Sequence, residues 1–142
     1  MMERRRFLRV VSGAGMALGV GACASVLPLT MRPTGGTLRL PLDAHPDLAR
    51  AGGSLRVRTE GEGLLVYILA LDDGTFAALS PICTHQGCTV GVEGVLLVCP
   101  CHGSTYTREG NVVRGPAALP LTRYATRVAA ERELVVELGS AG

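Results

Sequence analysis

Cys83-Thr84-His85-Gln86-Gly87-Cys88 and Cys99-Pro100-Cys101-His102-Gly103-Ser104 are the two stretches whose reading decides what this chain is. Each carries a Cys–His pair and one further Cys. Two thiolates and two neutral imidazoles can share a [2Fe–2S] cluster, with Cys on one iron and His on the other. Replacing two thiolates by imidazoles removes negative charge, which raises the reduction potential above that of an all-Cys ferredoxin, to about −150 to +300 mV. Two other uses of the same residues stay open at this point. Cys83, His85, Cys99 and His102 form an acceptable zinc ligand set, although zinc motifs usually space their cysteines more widely and zinc leaves Cys88, Cys101 and Ser104 without a role. Cys83, Cys88, Cys99 and Cys101 could ligate an all-Cys cluster, which leaves both histidines idle. Paramagnetic resonance of the reduced protein separates the three: zinc is silent, and four-Cys ligation has a different g-tensor.

The two stretches resemble the Rieske pattern. The resemblance implies that Cys83, His85, Cys99 and His102 are the cluster ligands, with the cysteines on an inner iron and the histidines on an outer one near solvent. It also implies that Cys88 and Cys101 form the disulfide of the high-potential branch, tying two ligand loops together. Ser104 and Tyr106 stand where high-potential members place donors to a bridging sulfide and to a cysteine ligand sulfur, here Cys83; such hydrogen bonds stabilise the more negative reduced cluster and raise its potential. The plainer reading has both hydroxyls satisfying backbone groups in a turn. Gly115-Pro116-Ala117 resembles the proline loop that covers the cluster from a third side. An exposed imidazole ligand can release its second proton on iron oxidation and regain it on reduction, coupling electron to proton transfer.

With 142 residues the chain has room for one domain and a leader. It is 47% hydrophobic but only 4% aromatic, with 19 Gly and 8 Pro, so its apolar residues fall into short runs that favour strands and turns. Expected strands are Thr37–Leu42, Ser54–Thr59, Leu64–Leu71, Thr75–Leu79, Val95–Cys99, Thr105–Thr107, Asn111–Val113, Thr122–Ala129 and Leu134–Leu138. Leu64–Leu71 is apolar almost throughout, as for a strand buried on both faces, and Asp72-Asp73-Gly74 marks a hairpin. Asp43–Gly53 contains His45-Pro46 and Gly52-Gly53 and reads as an irregular loop with room for a helical turn. The pattern indicates an all-β sandwich or barrel. The resemblance implies more: a Rieske fold, with an antiparallel sheet base and an inserted cluster-binding subdomain at about residues 80–118. His45 is read as a loop residue without a role.

All 14 basic residues are Arg, and the net charge of +2 belongs to the N-terminus. Arg4, Arg5, Arg6 and Arg9 precede a charge-free stretch from Val10 to Met31, while the rest of the chain is about neutral, so nothing argues for nucleic acid. Arg4-Arg5-Arg6-Phe7-Leu8-Arg9 looks like a twin-arginine export signal, with Glu3 where Ser or Thr is usual; that route carries folded proteins and suits a preassembled cluster. A disulfide beside the cluster also suits an exported protein. Residues 1–31 are therefore read as a leader, 32–36 as a linker and 37–140 as the domain. Val20-Gly21-Ala22-Cys23 resembles a lipobox that would lipidate Cys23, Gly21 being an unusual occupant. The charge-free stretch could instead stay as a membrane anchor or be cleaved near Ala22 or Ala24. All three place the domain on the outer face of the membrane, and intact mass separates them.

The resemblance implies an exported or membrane-associated high-potential electron carrier. It would work between a quinol or other reductant and a c-type cytochrome or similar acceptor, with a redox protein as partner and no catalytic site of its own. The alternatives are the iron–sulfur subunit of a cytochrome bc-type quinol:cytochrome c reductase, docking on cytochrome b, and the small subunit of a periplasmic oxidase such as arsenite oxidase. Gln86 stands where most bc-type members carry Leu at the docking face. A Rieske oxygenase needs a second iron on two His and a carboxylate; with three His in the chain and two spent on the cluster, that site cannot be assembled.

Overall fold

The computed structural model describes residues 27–141. The twin-arginine motif and Cys23 lie outside the described residues. Eleven strands form two sheets: β1 (Leu29–Met31), β2 (Thr37–Pro41), β3 (Ser54–Thr59), β4 (Leu65–Ala70), β5 (Phe76–Leu79), β6 (Gly91–Glu93), β7 (Leu96–Val98), β8 (Thr105–Thr107), β9 (Val112–Arg114), β10 (Arg123–Ala129) and β11 (Glu133–Ala141). The base is a seven-stranded sheet in the order β1-β3-β4-β5-β10-β11-β2. A four-stranded sheet, β6-β7-β8-β9, is inserted between β5 and β10. The all-β expectation holds, and every expected strand is present with its ends adjusted.

Two strands were not foreseen. β6 is three residues long and begins on Gly91, too little pattern to read; its pairing with β7, Gly91 opposite Val98, makes it a strand. β1 falls in residues assigned to the leader. It pairs in parallel with β3, Leu29 opposite Val57 and Met31 opposite Thr59, which makes an otherwise antiparallel base mixed. Parallel neighbours need a long connection. The chain provides it by crossing to β2 at the opposite edge and returning through two short 3-10 turns, Leu42–Ala44 and Pro46–Ala49. The sheet therefore starts before Thr37, and a membrane-spanning reading of the charge-free stretch is confined to residues 10–28. Among the described residues no helix is long and apolar enough to cross a membrane.

β4 explains its own composition. Tyr67 and Leu69 face one apolar cluster with Leu71, Ala77, Leu79, Val90, Leu97, Tyr106, Ala117 and Leu121. Val66 and Ile68 face a second, with Leu38, Leu40, Leu48, Val57, Tyr124, Leu134 and Val136. A strand between two cores has no solvent face, so its run is continuous rather than alternating. The first core is the floor on which the inserted sheet sits, and it contains Cys83 and Cys99. Tyr67 pins that contact by donating its hydroxyl to the Val90 carbonyl at 2.9 Å. The Asp72-Asp73-Gly74 turn is as expected: Asp73 Oδ1 accepts from the Thr75 amide at 2.9 Å and its hydroxyl at 2.6 Å, an Asx turn joining β4 to β5.

Candidate metal centre

The two quoted stretches form loops with one shared backbone design. In the first, the Cys83 amide donates to the Cys88 carbonyl at 2.8 Å and the Cys83 carbonyl accepts from Gly87 at 2.9 Å. In the second, the Cys99 amide donates to the Ser104 carbonyl at 2.8 Å and the Cys99 carbonyl accepts from Gly103 at 3.0 Å. Each loop thus folds over its first cysteine and needs a left-handed residue four positions on. Gly87 (φ 80°) and Gly103 (φ 79°) supply it, a conformation that a Cβ would strain. The loops differ in where the histidine falls, two positions after Cys83 and three after Cys99. Both rings reach the same tip.

At that tip His85 and His102 are exposed and lie edge to face, with ring centroids 4.9 Å apart. Cys83 and Cys99, the first cysteine of each loop, are each only 2% exposed. Cys88 and Cys101 are joined by a disulfide that staples the first loop to the second. The sulfur of Cys99 lies within 4.8 Å of both disulfide sulfurs, but a bonded pair has no thiolate to offer a metal. That geometry disfavours the four-Cys alternative and leaves two thiols and two imidazoles as donors.

The Tyr106 hydroxyl meets the sulfur of Cys83. Tyr106, wholly buried, places its Oη 3.2 Å from Cys83 Sγ. The Thr84 amide donates to the same oxygen at 3.3 Å, and the Thr84 hydroxyl donates to the Leu119 carbonyl at 2.7 Å. Thr84 thereby gives its own hydroxyl proton to Leu119, and the Tyr106 proton faces two acceptors at 3.2 Å, Cys83 Sγ and Thr84 Oγ1. Burial alone would raise the Cys83 pKa. Hydrogen bonds from Tyr106, the His85 backbone, Cys99 and Ser104 outweigh it and bring the thiol down to about 7. Donors that stabilise a free thiolate also stabilise a sulfur bound to metal. Burial, then the bond to Cys83, raises the Tyr106 pKa, so the phenol keeps its proton.

Ser104 also has a structural duty. Its Oγ accepts from the Ala117 amide at 2.9 Å, anchoring the loop that contains the cis Gly115–Pro116 peptide. The third loop is tied to the second through Ser104 and to the first through Thr84. Sequence reasoning passed over Thr84; a hydroxyl between two candidate ligands was the available signal. Ile82 and Leu119 stand exposed at the rim (46% and 66%), and no charged residue occurs from 80 to 92 or from 94 to 107.

The family described as Rieske [2Fe-2S] domain matches residues 39–125. Among curated relatives, the cytochrome b6-f complex iron-sulfur subunit of Chlorobaculum tepidum is 30% identical over 132 residues, covering 89% of this chain and 71% of that protein. The cytochrome b6-f complex iron-sulfur subunit 2 of a Nostoc species is 36% identical over 138 residues, covering 84% of this chain and 76% of that protein. The crystal structure of a plasma membrane Rieske protein from Synechocystis is 34% identical, with a TM-score of 0.55, over 65% of this chain and 92% of that one. The oxygenase–ferredoxin complex of carbazole 1,9a-dioxygenase, at 22% identity and a TM-score of 0.56, shares the fold alone.

Proposed function

The chain belongs to the Rieske [2Fe–2S] domain family, and from that footing we propose that Cys83 and Cys99 hold one iron of its cluster and His85 and His102 the other. When bound, the cluster accepts and returns a single electron. The observation that carries this reading is the convergence of two buried thiols, one hydrogen-bonded by Tyr106, with two exposed imidazoles 4.9 Å apart. The protein supplies the rest. The cysteine side is sealed by Leu97, Tyr106 and Ala117, which keeps water from the sulfurs. The hydroxyls of Tyr106 and Ser104 beside Cys83 favour the reduced form and support a potential in the high range. The exposed imidazoles offer the electron, and a proton on the ring nitrogen not bound to metal, to whatever docks at the tip.

The reading extends to an exported, membrane-associated carrier working within a cytochrome complex, a quinol or other reductant being the donor and a cytochrome the acceptor. An uncharged rim with Ile82 and Leu119 exposed supports docking on a protein partner. The relatives named as cytochrome b6-f subunits support a bc-type complex over an oxidase. A redox titration across pH, followed by paramagnetic resonance, tests the whole. A positive potential that falls as pH rises is expected. A low, pH-independent potential would remove the quinol side, and a colourless, iron-free protein after anaerobic reconstitution would remove the cluster.

A further inference from the structure

Arg108 is the charged side chain that the described residues bury, at 7% exposure, and the site described above makes no use of it. It lies one residue beyond β8, in the hairpin leading to β9. Its Nη2 donates to the Gly53 carbonyl at 2.6 Å and its Nη1 to the Gly94 carbonyl at 3.0 Å. Its Nε is buried without a partner. Among the described residues no carboxylate lies within ion-pair distance; burial pulls its pKa below the ordinary arginine value, against which Asp72 and Glu109 act only from farther away. A buried, carboxylate-free guanidinium is costly, and an apolar side chain of like volume would stabilise the fold at least as well. What arginine adds is a rigid fork of directed donors.

The fork joins three elements. Gly53 closes the loop before β3, and its carbonyl also accepts the Ala70 amide at the end of β4, at 2.9 Å. Its position is fixed, because any Cβ at Gly53 would collide with the Asp47 carbonyl. Gly94 is the turn between β6 and β7. Arg108 itself belongs to the hairpin of β8 and β9. Burial alternates from Ser104 to Arg108, so Ser104 and Arg108, the residues flanking β8, turn inward with Tyr106, while Thr105 and Thr107 are half-buried. Successive residues on one face are about 6.6 Å apart. A strand clamped at Arg108 therefore delivers the Tyr106 hydroxyl to a set depth, 3.2 Å from Cys83 Sγ.

We propose that Arg108 is a positioning residue: by clamping β8 to the base sheet it holds the Tyr106 hydroxyl on the Cys83 sulfur, and through that bond it sets the reduction potential. The inference rests on the cluster ligation proposed above. The test measures the potential of the full, cluster-loaded chain as Arg108→Met and Arg108→Lys, each with Tyr106 intact and in the Tyr106→Phe background. Cluster content is read by iron assay and paramagnetic resonance. Arg108→Met is expected to lower the potential when Tyr106 is present and to change it far less once the hydroxyl is gone. Lys keeps the charge but cannot span both carbonyls, so it should lower the potential too, again only with Tyr106 present. An unchanged potential in both variants overturns the proposal. So does a shift of equal size in the two backgrounds, which would mark a direct effect of charge. If Arg108→Met does not retain its cluster, Arg108→Lys decides by the same criteria. Failure of the underlying ligation reading would show separately, as a wild-type chain without a [2Fe–2S] signal.

Discussion

Replacing Tyr106 by Phe removes one oxygen and leaves a buried ring in place. The ring packs in the core shared by Leu97 and Ala117, and Phe fills the same volume. What is lost is the 3.2 Å contact from Oη to Cys83 Sγ and the acceptor for the Thr84 amide. The sign follows from charge. Reduction adds an electron to a centre whose sulfurs share the negative charge, so a donor on sulfur stabilises the reduced state more than the oxidised one. A hydrogen bond to a charged group contributes about 1.5–3 kcal/mol. Only the part that differs between redox states moves the potential, about 1–2 kcal/mol. For one electron, about 59 mV corresponds to a tenfold change, about 1.4 kcal/mol, so the expected shift is about 40–85 mV downward. Protein-film voltammetry of wild type and variant at one pH and one ionic strength measures it, with iron content confirming equal cluster loading. A potential unchanged within a few millivolts, with the cluster intact, would refute the argument that this hydroxyl donates to the sulfur.

Further outcomes follow from the same geometry. Ser104→Ala should lower the potential as well, and should free the Ala117 amide and loosen the third loop, seen as faster hydrogen exchange at Ala117; slow exchange there would count against the anchor at 2.9 Å. Cys101→Ser opens the staple between the ligand loops and removes about 3 kcal/mol of loop-closure stabilisation. Cluster loss on dilution or mild heating should precede unfolding of the base sheet, and full occupancy at unchanged potential would contradict the protective role of the disulfide. Leu97→Ala empties a wholly buried position between the two sheets and should cost about 2–5 kcal/mol in denaturant unfolding; a cost under about 1 kcal/mol would mean that the first core is not packed as described.

The ligand loops were legible because their chemistry is local. A cysteine whose backbone folds back on itself within five residues needs nothing distant to form its loop, and Gly87 and Gly103 mark the required turns in the text of the chain. Strands such as Ser54–Thr59 and Leu65–Ala70 were legible for a similar reason, bounded by turn residues and long enough to carry their own pattern. β1 and β6 were not. Three residues carry no period, and each is a strand only through its partner: Val57–Thr59, well along the chain, for β1, and Leu96–Val98, just across the Gly94 turn, for β6.

Residue identity and short-range spacing were enough to set out the donor types and the all-β class, since thiol, imidazole and turn preferences are properties of side chains and neighbouring peptides; the branch of the family, the Cys88–Cys101 pair and the Tyr106 donor were expected only through the family resemblance. Folding decided the rest. It brought His85 against His102, paired Cys88 with Cys101, aimed Tyr106 at Cys83 and placed the Arg108 guanidinium between Gly53 and Gly94. Each of these joins segments between 13 and 55 residues apart. Contacts of that span depend on how two sheets pack across a shared core, and no local pattern encodes that packing.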